Sequence, residues 1–171
     1  CALPIFMTMM MPAQVMVVPQ YIILKKLHLN DTLLAMILPW AFGGAFFVFL
    51  IVQYMRGIPK ELDEAAMIDG CSKIGILFKI LVPVVQPAIV SAAIFAFYWI
   101  WQDFFLPLIF VGSPKNYTIP LALNMYTDPN SCNNYGGLFA MSVISLLPVI
   151  LVFIKFQKYL VEGIATDGIK G

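Results

Sequence analysis

The charged residues of this 171-residue chain are confined to short segments, which separate four long uncharged stretches. Asp, Glu, Lys and Arg are all absent from residues 1–24, 32–55, 80–102 and 129–154. Each stretch can cross the hydrocarbon core of a bilayer, because a helix needs about 20 apolar residues to do so. The pattern predicts four membrane-spanning helices, at roughly residues 3–24, 33–54, 85–107 and 137–158.

Composition supports lipid as the main surroundings of the chain. Hydrophobic residues make up 61% of the sequence, charged residues only 11%, and the mean hydropathy is +0.91. Backbone N–H and C=O groups in lipid must bond within the protein, and a helix pairs them within one segment. We therefore predict an all-α, polytopic membrane helical bundle in direct contact with the lipid bilayer.

The distribution of Lys and Arg predicts which loops face the cytoplasm. Cytoplasmic loops of membrane proteins carry an excess of these residues. If residues 56–83 and the C-terminus are inside, seven cations lie inside and three outside. The loop at 112–135 is then on the outer side, and four spans place residue 1 on the same side as the C-terminus. The inner cations are Arg56, Lys60, Lys73, Lys79, Lys155, Lys158 and Lys170, and the outer ones are Lys25, Lys26 and Lys115.

The charged loop at residues 56–83, called the island below, has the sequence signals of a helix, a turn and a second helix. Pro59 suits the first turn of a helix, and acidic residues follow it at the end where the helix dipole favours negative charge. Gly70 supplies a stop, and Ser72 can cap a second helix that runs to Pro83. Two alanines keep one face of the first helix thin. The island is therefore predicted to be a docking element for a soluble partner.

The island resembles the EAA loop of the permease subunits of binding-protein-dependent ABC importers. Glu64-Ala65-Ala66 is followed at the family's spacing by Gly70, Ile80 and Pro83, with Val82 where the family usually has Leu. Asp69 matches the family's common Asp-Gly pair. The resemblance implies that this loop docks on an ATPase subunit. The residues it assigns to docking are Glu64, Ala65, Ala66, Asp69, Gly70, Ile80 and Pro83.

The resemblance covers nearly the whole chain and indicates the carbohydrate-uptake branch of the family, in particular its MalG-like subunits. The matching segments are Met10-Met11-Pro12, Ile58–Leu62, Trp101–Phe104, Tyr117–Leu121 and Glu162–Ile164 with Gly168–Gly171. It implies a bacterial inner-membrane permease for sugars or polyols, with an ATPase dimer, a second, different permease and an extracytoplasmic solute-binding protein as partners. It implies no cofactor and no nucleic acid.

The family usually has six spans, so we expect this sequence to be a fragment that lacks the first two. An alternative is a lipoprotein with an acylated Cys1 as its mature N-terminus. The predicted orientation argues against it, because it places Cys1 inside, whereas the N-terminus of a processed lipoprotein lies outside.

Trp101, Gln102 and Asp103 lie near the outer end of the third predicted span. One interpretation is that they line a polar path, with the ring stacking on sugar C–H faces and the polar groups bonding hydroxyls. The other is an aromatic belt with an interfacial acid. Gln102 stands where the resembled family usually has Asn.

Other classes of membrane protein find less support in the sequence. A proton-coupled secondary transporter is expected to carry an acid deep within a span, and the predicted span centres hold none. The sequence contains no nucleophile paired with a base, as a membrane enzyme would need. It also contains no glycine-rich phosphate loop of the kind that binds nucleotides. Cys1, Cys71, Cys132 and His28 have no metal-ligand spacing. An importer permease, itself non-catalytic and without a metal, is the leading prediction, and a secondary transporter or channel is the alternative.

Overall fold

A computed structural model describes residues 3–41, 43–127 and 134–165 of the chain. Cys1, Cys132 and the C-terminal Gly168–Gly171 fall outside these ranges, as does the middle of the predicted outer loop. The described residues are helical and contain no strand. The helices are α1 (Leu3–Met9), α2 (Ala13–Lys26), α3 (Leu33–Ala41), α4 (Ala45–Arg56), α5 (Glu61–Ile68), α6 (Lys73–Ile76), α7 (Val82–Val84), α8 (Gln86–Trp101), α9 (Phe105–Phe110), α10 (Ile119–Met125) and α11 (Tyr135–Ala165), with a π-helical turn at Leu77–Leu81 and a 3₁₀ turn at Pro114–Asn116.

Each predicted span contains helix, but three of the four are interrupted. The first is divided between α1 and α2, and Pro12 occupies the N-cap of α2 in an extended conformation. The second is divided between α3 and α4 at Gly43, whose φ of +79° suits glycine. A Cβ at Gly43 would meet no atom within 4 Å, so this glycine serves the backbone bend and not close packing.

The third predicted span is bent where it leaves the island. The helical run Lys73–Val84 meets α8 at an angle of 68°, and Val85 and Pro87 lie at the joint. By length and composition, two helices of the described chain can cross a membrane, Leu33–Arg56 and Tyr135–Tyr159, or three if the bent pair is one span. Helices of this length and composition are consistent with a membrane bundle.

Helices α8 and α11 are joined by two hydrogen bonds. The Ser91 hydroxyl donates to the Tyr159 carbonyl over 3.1 Å, and the Trp101 indole N–H donates to the Ser145 carbonyl over 3.1 Å. Aromatic rings from α4 pack on α8, and the ring centroids of Phe46 and Trp99 are 4.9 Å apart. These contacts bind α8 into the bundle, whereas many apolar side chains of α11 are exposed on the chain, as expected for contact with lipid.

Five of the eleven buried apolar residues in the described chain gather where α2, α3 and α9 meet. We call this set the corner cluster, and it consists of Val17, Leu24, Ala35, Phe110 and Val111. Tyr21 stacks on Phe110 with ring centroids 6.5 Å apart. Leu29, in the loop that connects α2 to α3, packs against the corner cluster.

Candidate functional site

The first helix of the island ends in a Schellman motif. The Cys71 N–H donates to the Ala66 carbonyl over 3.0 Å, and the Gly70 N–H donates to the Met67 carbonyl over 3.1 Å. Gly70 adopts a φ of +79°, the left-handed conformation that this motif requires. The predicted stop at Gly70 is therefore confirmed. The helix begins at Glu61, two residues after Pro59, and all its acidic first-turn residues lie at its positive end.

The second helix of the island begins as predicted and ends within one residue of the predicted Pro83. The Ser72 hydroxyl accepts a hydrogen bond from the Gly75 N–H over 3.1 Å, which confirms the predicted N-cap. The helix then widens into the π turn that contains Ile80, and continues through Pro83 to Val84. Pro83 lacks an N–H, so the regular bonding pattern cannot be maintained there, and the chain bends at Val85.

The docking residues of the island differ in exposure. Glu64, Ala65, Asp69, Gly70 and Pro83 are exposed, whereas Ile80 is half-buried. Ala66 is buried against the chain itself, so only one of the two alanines offers a thin surface to a partner.

Large apolar side chains on the island are also exposed, and sequence reasoning missed them. Ile68 is 86% exposed, Ile74 72% and Phe78 65%. The Asp63 carboxylate has a buried oxygen, Oδ1, with no hydrogen-bond partner among the described residues. Exposed apolar side chains among charged residues are typical of a surface that another protein covers.

The three residues at the end of α8 have different surroundings. The indole N–H of Trp101 is occupied by Ser145, and its ring stacks on Phe97 at 5.5 Å. Asp103 Oδ1 accepts the N–H groups of Phe105 and Leu106 at 3.0 and 3.3 Å, so this carboxylate caps α9. Gln102 is exposed at the break between the two helices. Of the three, Gln102 is the one whose polar group has no hydrogen bond recorded within the described chain.

A cavity of about 390 Å³ adjoins Trp101. One wall comes from α8, and the other from the segment that leads into α10. The Thr118 hydroxyl oxygen in the second wall is buried without a hydrogen-bond partner in the described chain. The lining residues are Phe97, Ile100, Trp101, Tyr117, Thr118 and Ile119. The second wall was not predicted as a site, although its sequence carried part of the family resemblance.

Asp31, in the loop between α2 and α3, binds the segment that follows α9. Its carboxylate accepts the N–H groups of Gly112 and Ser113 at 3.1 and 2.8 Å, and also the Ser113 hydroxyl. Its carbonyl accepts the Asn116 side-chain amide at 2.6 Å, and its own N–H donates to the Phe110 carbonyl at 2.9 Å. We call this set of hydrogen bonds the Asp31 clamp.

The clamp favours the charged carboxylate. Hydrogen bonds from Ser113, first from its hydroxyl and then from its N–H, lower the pKa of Asp31 to about 2, with Gly112 and Asn116 contributing. Asp31 also has a φ of +60°, which is uncommon for a residue other than glycine. One signal for this site is visible in the sequence, since Asp31 is the sole acidic residue in the first 60 positions. Within the described chain, His, Cys, Asp and Glu form no group able to hold a metal.

Known proteins resemble this chain over almost its whole length. Arabinooligosaccharides transport system permease protein AraQ of Halalkalibacterium halodurans is 37% identical over 98% of this chain and 59% of its own. Probable ABC transporter permease protein YurM of Bacillus subtilis is 38% identical (95% and 54%), and sulfoquinovosyl glycerol transport system permease protein SmoH of Agrobacterium fabrum 33% (94% and 56%). The chain thus spans less than three fifths of the length of these relatives.

A solved structure agrees with these relatives. The chain matches a chain of a bacterial ABC transporter involved in the import of the acidic polysaccharide alginate, with a TM-score of 0.73 and 25% identity, over 92% of this chain and 60% of the other. These similarities confirm the predicted fold class and favour the importer interpretation over a secondary transporter or channel. The family described as binding-protein-dependent transport system inner membrane component matches residues 2–166, and this chain belongs to it.

Proposed function

We propose that the chain forms part of the permease of an ATP-driven importer for sugars or related polyols. The observation that carries the proposal is the island, a capped helix–turn–helix with exposed Glu64, Ala65 and Gly70 beside uncovered apolar side chains. Two of the relatives named above belong, by their names, to transport systems for arabinooligosaccharides and for sulfoquinovosyl glycerol. The matched structure is of a transporter involved in the import of alginate. A carbohydrate cargo is the common chemistry.

The proposed topology follows the sequence. Four spans, near residues 3–24, 33–54, 85–107 and 137–158, cross the bacterial inner membrane, with the island and the C-terminus in the cytoplasm and residues 112–135 outside. The excess of Lys and Arg on the proposed inner side supports this orientation. In the complete importer this chain pairs with a second, different permease and receives its cargo from an extracytoplasmic solute-binding protein.

The island docks on one subunit of an ATPase dimer. Helix α5 enters a cleft of the ATPase, where Glu64 pairs with a basic residue and Ala65 permits close approach. Ala66 holds the helix against its own chain, and Asp69 and Gly70 end it, so that Ile80 and Pro83 can connect it to the spans. This chain carries no catalytic residue and no cofactor, because ATP hydrolysis takes place on the partner.

Transport follows from movement of the docked island. Closure of the ATPase dimer on ATP displaces the two islands of the permease pair, and the attached spans rotate as rigid bodies from an inward-open to an outward-open path. The α8–α11 hydrogen bonds support the idea that these two helices move together.

The proposed path for the solute passes the end of α8. Trp101 offers an aromatic face to sugar C–H groups in the cavity it shares with Tyr117, and exposed Gln102 offers an amide to hydroxyls. Asp103 does not contact the solute directly, since its carboxylate already caps α9.

A substitution at Gly70 tests the docking proposal. Gly70→Val forces a β-branched residue into the left-handed conformation, which costs roughly 1–2 kcal/mol and disrupts the Schellman motif. We expect normal membrane insertion, less ATPase in the purified complex, and ATP hydrolysis that no longer drives sugar uptake. Gly136→Val is the matched control, because it introduces the same side chain where the φ is ordinary and the nearest atom to the added Cβ, Asn134 Oδ1, is 3.6 Å away. Normal uptake and ATPase recovery with Gly70→Val would refute docking through this helix.

A further inference from the structure

The two walls of the cavity beside Trp101 are held in place by different means. The first wall is on α8, which is fixed to α11 by the bond between Trp101 and Ser145. The second wall, Tyr117 to Ile119, follows an extended segment and a single 3₁₀ turn. A short turn of this kind has few hydrogen bonds of its own, so its position depends on contacts with the rest of the chain.

The Asp31 clamp supplies those contacts. Ser113 immediately precedes the 3₁₀ turn and Asn116 is its last residue, and they donate to Asp31 across 82 and 85 positions of the sequence. Tyr117 follows immediately; its N–H donates to the Pro114 carbonyl at 3.2 Å, and its ring packs on the corner cluster. The second wall is therefore attached at its base to the loop between α2 and α3.

Charge explains why an aspartate serves here. The segment offers two adjacent backbone N–H groups, a hydroxyl and a side-chain amide, and all of them are donors. A carboxylate is the one small side chain that accepts several such bonds at once, and bonds to an ionised acceptor are stronger than neutral ones. An asparagine would place one of its N–H groups against these donors.

We propose that Asp31 is a positioning residue for solute transfer, which sets the second wall of the cavity beside Trp101 without touching the solute. This inference rests on the proposed function, because it assigns the cavity to the path of the sugar. Loss of the Asp31 carboxylate removes the bonds to Gly112 and Ser113, while the backbone bonds of Asp31 to Asn116 and Phe110 remain. The segment is then held less firmly, and the wall carrying Tyr117 and Thr118 shifts away from α8. The solute is then met by an incompletely formed site, so its capture weakens while the ATP-driven movement itself continues.

Uptake kinetics in proteoliposomes test this role, with the complete importer, its binding protein and an arabinooligosaccharide as the probe. Asp31→Ala should raise KM for the loaded binding protein about tenfold, which corresponds to the loss of one charge-assisted hydrogen bond, and leave kcat close to that of the unaltered protein. Asp31→Asn, which keeps one oxygen acceptor, should fall between the two. Thr32→Ala is the matched control, because the Thr32 hydroxyl bonds only within its own loop, to Leu29.

Thiol labelling gives a second measurement that does not depend on transport. In a background without Cys1, Cys71 and Cys132, a Thr118→Cys substitution places a thiol at the buried hydroxyl. A water-soluble thiol reagent should label it slowly when Asp31 is present and several-fold faster with Asp31→Ala. If Asp31→Ala fails to fold, Ser113→Ala removes one donor of the clamp and should change KM and labelling in the same direction.

The outcomes separate the two proposals. An unaltered complex that takes up no sugar with its partners would refute the proposed function, while Thr118→Cys labelling would still report on the clamp. Uptake by the unaltered complex, combined with Asp31→Ala kinetics and labelling equal to those of Thr32→Ala, would overturn the positioning role alone. A fall in kcat with unchanged KM would overturn it as well.

Discussion

The corner where α2, α3 and α9 meet and the island at residues 56–83 are organised in opposite ways. At the corner, Phe110 is 2% exposed and Asp31 has its carboxylate occupied by donors from the same chain. On the island, apolar side chains as large as Ile68 and Phe78 are exposed. The corner buries its apolar side chains and bonds the Asp31 carboxylate within the chain, whereas the island leaves large apolar side chains exposed.

The largest expected effect is at the corner. Phe110 is the largest fully buried side chain of the described residues, so Phe110→Ala leaves a cavity and should lower the free energy of unfolding by about 3–5 kcal/mol. Phe78→Ala removes the same side chain from the island, where it is already 65% exposed, and should change the isolated chain little. Thermal unfolding in mild detergent compares the two variants. Equal shifts of Tm would mean that the island is a packed core of the same kind.

A smaller effect is expected when the island is altered and its partner is present. Ile68→Lys places a charge where we propose that the ATPase covers an apolar side chain, and about tenfold weaker association corresponds to a loss of about 1.4 kcal/mol. Co-purification of the ATPase at increasing dilution measures it. Ile68→Met keeps an apolar side chain and should bind normally. Equal recovery with the Lys and Met variants would place Ile68 outside the interface.

The smallest effect is the pH dependence of the clamp. The pKa of Asp31 in the folded chain, about 2, lies below the value of roughly 3.9 for an unperturbed Asp, so the carboxylate stabilises the folded state above pH 4 and stops doing so as the pH falls towards 2. Amide exchange at Gly112 and Ser113, corrected for its intrinsic rate, should stay constant from pH 8 to 5 and quicken below 4. The Asp31→Asn variant should lack this transition. A transition well above pH 4 would assign the dependence to a group other than Asp31.

The same comparison explains what the sequence could predict. The stop at Gly70 and the cap at Ser72 are local, because each depends on bonds that reach three to five residues along the chain. The all-helical membrane bundle follows from the uncharged stretches. The Asp31 clamp joins positions 79 to 85 apart, and no local propensity encodes such a contact. The burial of Ala66 and the occupied indole of Trp101 likewise depend on neighbours that the sequence does not identify.

The bend between Lys73–Val84 and α8 determines how force leaves the island. Two helical rods that meet at 68° do not transmit a push along one line. A displacement of the island along its own helical run arrives at α8 mainly as a sideways load, and Ser91 and Trp101 pass that load to α11 at two well-separated points. Under the docking proposal, the joint converts displacement of the island into rotation of the α8–α11 pair.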